Sequence, residues 1–168
     1  MKVYFLRHGV AVERSEWNGD DTARPLTEDG VRKTAEIAAA IARLGVDVES
    51  IITSPLVRAK ATADIVARAL GLKSHAVEDR RLAPGFDAAS LRAILRDHRG
   101  AGAVMLVGHE PDFSETLSEL IGGGSLEIKK TGLALVDLPD TRPGRGRLRW
   151  LIPPKMLALL GRAGAPGG

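Results

Sequence analysis

A chain of 168 residues, 44% of them hydrophobic, is the right size for one domain with its own core and needs no covalent staples. It contains no cysteine, which excludes disulfides, thiolate zinc sites and cysteine-nucleophile chemistry and fits a reducing compartment such as the cytoplasm. With 24 Lys and Arg against 21 Asp and Glu, the formal charge of +3 is too small a field to gather nucleic acid or an anionic membrane, so any anion must be recognised locally.

Residues 3–6 form a short apolar run that ends at Arg7 and reads as a strand. It is too short for a secretory core, and no stretch approaches the roughly 18 apolar residues of a membrane span, so a soluble cytoplasmic protein is expected. A helix is predicted over 28–44, where Thr27 can cap and Ile37, Ile41 and Leu44 recur at helical spacing. A strand follows at 50–53, then a helix over 55–70 with Ile65, Ala69 and Leu72 on one face. Further on come a helix over 88–97, a strand over 103–107 and a helix over 111–120. The strands lack clean alternation, as expected of strands covered on both faces. Runs 133–138 and 147–152 flank a turn-rich loop containing Pro139, Pro143 and Gly144, which predicts an antiparallel pair. Pro153 and Pro154 then open a short apolar helix ending near Leu160. One domain over 1–160 and a flexible tail over 161–168 are expected. The alternation predicts an α/β fold, a three-layer sandwich around a central mixed, mostly parallel sheet.

Three strand-to-helix junctions carry the chemistry: Arg7, His8 and Gly9; then Ser54, Pro55 and Arg58; then Gly108 and His109. If these junctions share one sheet edge, two imidazoles and two guanidiniums converge where open α/β sheets bind ligands. A forked cation beside a nucleophilic nitrogen suits phosphoryl transfer through histidine. In this order the motifs resemble the histidine phosphatase superfamily, the phosphoglycerate mutase-like group. The chain is most similar to its short SixA-type phosphohistidine phosphatases, because Arg24, Pro25, Leu26, Thr27 and Gly30 also match. The resemblance spans residues 1–150 and implies a phosphoglycerate mutase-like fold.

His8 is the expected nucleophile, attacking through one ring nitrogen while the other keeps its hydrogen on a backbone carbonyl. Gly9 is expected to adopt turn angles closed to other residues and to let the backbone approach the phosphate. Arg7 and Arg58 would balance the charge on the phosphoryl oxygens. Ser54 is expected to cap a helix beginning at Pro55, placing Arg58 about one turn in, beside free backbone donors, and to take part in phosphate binding at that helix start. His109 reads either as a loop histidine or as a ligand; the resemblance implies that it donates to the phosphoryl group, and a dianion there would favour its protonated form. Arg24 is either a salt-bridge residue or a substrate contact, and Asp20 and Asp21 either approach the site or form a polar turn. His75, His98, Lys60 and Arg68 match no motif and read as surface residues. Arg142, Arg145, Arg147 and Arg149 read as a solvated loop and strand face rather than an RNA surface.

Larger members of the superfamily carry a glutamate past mid-chain that protonates an alcohol leaving group, but the corresponding stretch here is Arg81, Leu82, Ala83, Pro84 and Gly85. Hydroxide, which an alkoxide resembles, has a conjugate acid of pKa about 15.7, whereas imidazole titrates near about 6.5, so phosphohistidine tolerates a site without a dedicated acid. Asp21 and Glu110 are candidate proton donors, with Asp87 and Asp112 also within sequence reach. The segment between Arg58 and His109 is too short for a large cap, and an open site suits a phosphate presented by another protein. The expected partner is a phosphorylated protein, including a phosphorelay histidine, or a small phosphorylated metabolite, with no cofactor and no metal. A metal-dependent hydrolase built on the two histidines is the competing class, disfavoured because the neighbouring arginines repel a cation. A catalytically dead phosphate-binding module is a third, disfavoured by the intact His8.

Overall fold

Val3 and Phe5 point to one face of a sheet and Tyr4 and Leu6 to the other, and all four are buried because helices cover both sides. The computed structural model describes residues 1–72 and 76–163. Its strands are β1 (Lys2–Arg7), β2 (Ser50–Thr53), β3 (Val77–Glu78), β4 (Ala103–Gly108), β5 (Leu133–Asp137) and β6 (Arg147–Ile152), in the order β3-β2-β4-β1-β5-β6. β3, β2, β4 and β1 run parallel, while β5 pairs antiparallel with β1 and β6 with β5. The sheet is therefore mixed and mostly parallel.

Five helices complete the sandwich: α1 (Glu28–Arg43), α2 (Val57–Ala69), α3 (Ala88–Asp97), α4 (Asp112–Ile121) and α5 (Pro154–Ala163). α1, α2 and α5 cover one face, where Ile37, Ile41, Val66 and Leu157 pack on Tyr4, Leu6, Met105 and Leu135. α3 and α4 cover the other, where Leu91, Ile94 and Leu117 pack on Val3, Phe5 and Leu106. Phe113 of α4 meets Phe5 edge-on at 5.2 Å between ring centroids. Thr27 caps α1 by accepting from the Gly30 N–H at 2.9 Å, a contact worth about 1 kcal/mol.

Several features depart from expectation. α2 starts at Val57, not at Pro55, for a reason that lies in the site. β3 has only two residues, both exposed, too few to leave a periodic signal. α4 begins at Asp112, one residue past Pro111. α5 continues through Gly161, Arg162 and Ala163, three residues that were expected to lie in a tail. Gly161 does not break the helix because it lies against α1, where an added Cβ would come within 2.5 Å of the Ala40 Cβ. Residues 164–168 and His75 lie outside the described residues. Among those described, no helix is long and apolar enough to cross a membrane.

Candidate active site

Sheet register assembles the site. β1 pairs with β4 so that Arg7 lies opposite Gly108, and the next residues in each strand are His8 and His109. β2 pairs with β4 so that Thr53 lies opposite Val107, which brings Ser54 to the same edge. The ladders run one bond further: His8 N–H donates to the Gly108 carbonyl at 3.1 Å and Ser54 N–H to that of Val107 at 3.0 Å. The imidazoles of His8 and His109 stand 5.2 Å apart between centroids and are only 8% and 4% exposed. They line a cavity of about 250 Å³ together with Arg7, Arg24, Arg58 and Glu110.

His8 Nδ1 lies 2.7 Å from the Gly9 carbonyl oxygen. A carbonyl only accepts, so Nδ1 carries the hydrogen and Nε2 keeps its lone pair. Burial drives the His8 pKa down to about 3 against the opposing pull of the Gly9 carbonyl, and His109, Arg58 and Arg7 push it the same way as burial. The ring is neutral and nucleophilic at physiological pH. His109 is likewise pushed down to about 4, by burial and then by Arg58, with Asp21 opposing. The imidazolium that a bound dianion favours is therefore not the form His109 takes in the free protein.

Arg7 Nε, Arg58 Nε, His109 Nδ1 and Glu110 Oε1 are buried with no hydrogen-bond partner, and among the described residues only Ser50 Oγ shares that condition. Buried polar atoms without partners are costly; the two arginine Nε–H groups, and His109 Nδ1 when it carries the hydrogen, are matched by a ligand rich in acceptors, whereas Glu110 Oε1, itself an acceptor unless protonated, calls for a donor. Other nitrogens of each guanidinium are anchored. Arg7 Nη1 donates to the Ile128 carbonyl at 2.9 Å. Arg58 donates from Nη1 to the Asp21 carbonyl at 2.7 Å and from Nη2 to Asp21 Oδ2 at 3.0 Å.

Several expected roles change. Asp21 is poorly suited to donate a proton. Burial raises its carboxyl, but the hydrogen bond from Arg24 and the charge and hydrogen bond of Arg58 outweigh that and hold it below the usual carboxylate range. It is an ionised anchor for both arginines. Arg24 combines its two readings, lining the cavity while Nε donates to Asp21 Oδ1 at 2.9 Å and Nη1 to the Val12 carbonyl at 2.6 Å. Ser54 caps no helix and does not itself line the cavity. Its hydroxyl is 2.8 Å from His109 Nε2 and accepts from Leu56 N–H at 3.3 Å, so it orients His109, and α2 waits until Val57. Arg58 is thus the second residue of α2 rather than a turn inside it. Gly9 has no left-handed φ; it is small because an added Cβ would fall 2.4 Å from Thr34 Oγ1, and it sits behind His8 rather than in the cavity wall.

Of the carboxyls near the sequence motifs, Asp112 accepts from Gly85 N–H, Asp87 caps α3 through Ser90 N–H, and Asp20 accepts from Thr22 N–H. Glu110 remains: it lines the cavity, and burial pushes its carboxyl up despite the opposing pull of Ser114 and Arg7. Pro84 is the one residue of the stretch from Arg81 to Gly85 that reaches the cavity wall. Glu13, Arg14 and Lys130 also line it and carry no sequence signal, since their place depends on how two loops fold over the strand ends. Thr62, one helical turn after Arg58, donates to the Arg58 carbonyl at 2.7 Å and accepts from Gly9 N–H at 2.9 Å. That spacing was readable, but its partner Gly9 was not. His98 ends α3, Lys60 and Arg68 are exposed, and Arg142 and Arg149 pair with Asp140 and Asp137 at the surface.

Residues 3–83 match the family model described as the histidine phosphatase superfamily (branch 1). An uncharacterized protein of Picosynechococcus is 37% identical over 138 residues, 79% of this chain and 82% of its own length. Phosphohistidine phosphatase SixA of Escherichia coli is 29% identical over 157 residues, 92% of this chain and 94% of its own. A solved structure of the protein histidine phosphatase SixA complexed with tungstate superposes with a TM-score of 0.81 at 28% identity, covering 92% of this chain and 98% of that one. The chain therefore belongs to the histidine phosphatase superfamily, the phosphoglycerate mutase-like group that its motifs resemble.

Proposed function

We propose that this protein is a phosphatase that takes the phosphoryl group of a protein phosphohistidine onto His8 and passes it to water. The observation that carries the reading is the fixed tautomer of His8, with Nδ1–H held on the Gly9 carbonyl at 2.7 Å and Nε2 left to attack. In the first step the Nε2 lone pair forms a bond to phosphorus as the substrate P–N bond breaks, and the departing imidazole nitrogen takes a proton from solvent. In the second, water adds to phosphorus and gives up a proton to solvent, the bond to His8 breaks and phosphate leaves with His8 neutral again. Arg7 and Arg58 bind the equatorial oxygens through their unpaired Nε–H groups. His109 donates from Nδ1 when its Nε2 accepts the Ser54 hydroxyl hydrogen. No metal is required in this scheme, because the guanidiniums supply the positive charge that a cation would bring. The name of the Escherichia coli relative supports phosphohistidine as the substrate.

A second reading, a phosphomonoesterase for small alcohol phosphates, is favoured by Glu110, whose raised carboxyl at the cavity wall suits a general acid. Phosphate release from a phosphohistidine-bearing protein and from a panel of sugar and other alcohol phosphates separates the two. With wild type and His8→Ala, each assayed with and without a strong chelator, faster turnover of phosphohistidine that is lost only in the variant is expected. Preference for an alcohol ester, or loss of activity to the chelator, contradicts the first reading.

A further inference from the structure

Lys130 stands where three cavities meet. One holds His8; a second, of about 730 Å³, shares Arg7 and Lys130 with it and runs past Lys129 and Lys155 over a floor of Pro153, Pro154 and Met156. The third, of about 340 Å³, continues from Lys130 between α1 and α5 over Val10, Ile37 and Ala158, with Lys33 on its margin. Among the described residues, Glu36 is the one acidic residue lining the second and third cavities. From Met156 onward the outer face of α5 stays apolar and open, with Leu159 and Leu160 exposed at helical spacing from it.

We propose that this groove docks the protein that carries the phosphohistidine, through a surface of acidic side chains around an apolar patch. The inference rests on the substrate reading given above. His8 is 8% exposed inside a cavity of about 250 Å³, so a phosphoimidazole enters while the body of its carrier stays at the mouth. On the side of Arg7 and Lys130 that mouth opens onto apolar ground rimmed by lysine. The complementary partner is acidic and apolar, and at a whole-chain charge of +3 its steering is local. Lys129 pairs with Glu127 at 2.5 Å, Lys130 with Glu13 at 3.5 Å and Lys33 with Asp29 at 2.6 Å, all at the surface, where such pairs open at little cost. Lys155 has no ion-pair partner among the described residues.

The test compares wild type with the double variant Lys155→Glu, Met156→Glu and with Lys129→Glu. The probes are a histidine phosphotransfer domain phosphorylated chemically on its histidine and free N-phosphohistidine. A rise of about tenfold or more in KM for the protein probe, with free phosphohistidine turned over as before, is the expected result. The wild-type kcat/KM on the protein probe should also fall with added salt, and less so in the variants. Unchanged KM for the protein probe overturns the docking surface and leaves the substrate reading intact, as does an equal loss on both probes. Wild type that hydrolyses alcohol phosphates but not the protein probe overturns both. A wild-type dimer that the double variant dissociates identifies a second copy of the chain as the occupant and overturns the proposal.

Discussion

Thr62 is fully buried, and its one hydroxyl joins the backbone of the loop after His8 to that of the helix carrying Arg58. Thr62→Val removes both bonds and leaves Gly9 N–H without a partner, which should cost about 1–3 kcal/mol of stability by urea unfolding. Misplacing His8 against Arg58 should also slow phosphoenzyme formation by about tenfold or more, and Thr62→Ser should restore most of it. A purely structural threonine would lose stability with the rate intact. Glu110→Gln separates the two substrate readings at the level of one atom. It should lower kcat for alcohol phosphates by about 10²–10⁴-fold where Glu110 is the acid, and change phosphohistidine turnover little. Arg7, His8 and His109 were legible because each sits at or next to a strand end that the sequence marks by its apolar run, and Arg58 because it opens the helix that follows β2. The true partner of Ser54, the anchoring by Asp21 and the reach of Lys130 were not, because each depends on residues brought near only by tertiary folding.

The start of α1 bears directly on the site. Its Gly30 faces the loop that follows His8, and an added Cβ would come within 2.0 Å of the Val10 carbonyl oxygen, a backbone atom that cannot swing aside. That carbonyl also accepts from Thr27 N–H at 3.0 Å. Gly30→Ala should therefore destabilise the protein by about 1–3 kcal/mol in urea unfolding and lower kcat by shifting the chain after His8. Unchanged stability and turnover would mean that this contact does not hold the loop. The loop after α4 constrains Arg7 from the other side: Thr131, at a φ of 61°, donates from its N–H to the Arg7 carbonyl at 3.1 Å, while Ile128 takes the guanidinium. A β-branched residue in that region carries strain of order 1–3 kcal/mol, which the surrounding bonds offset. At this scale the central strands and most helices were legible from apolar runs and caps. The start of α2 was not, because the side chain that would cap it turns to His109.

The whole molecule holds two histidines neutral in its interior, and that ties stability to pH. Both rings have an ordinary pKa of 6.5, lowered in the fold to about 3 for His8 and about 4 for His109. The unfolded chain therefore binds more protons than the native state below 6.5, and stability falls with pH across the window down to about 3 to 4. Above 6.5 this contribution is constant. Thermal unfolding followed from pH 7 downward should show a steeper loss of Tm in wild type than in His8→Asn; parallel curves would mean that His8 is not held neutral by the fold. The layered sheet was legible as a whole, since alternating strands and helices leave few arrangements. The central claim, that the phosphoryl group passes through His8, is tested most directly by mixing the protein with a phosphohistidine-bearing protein and quenching in alkali during turnover, where an N–P bond survives. Phosphate on His8, absent from His8→Ala, is the predicted result; steady turnover with no phosphorylated His8 would contradict it.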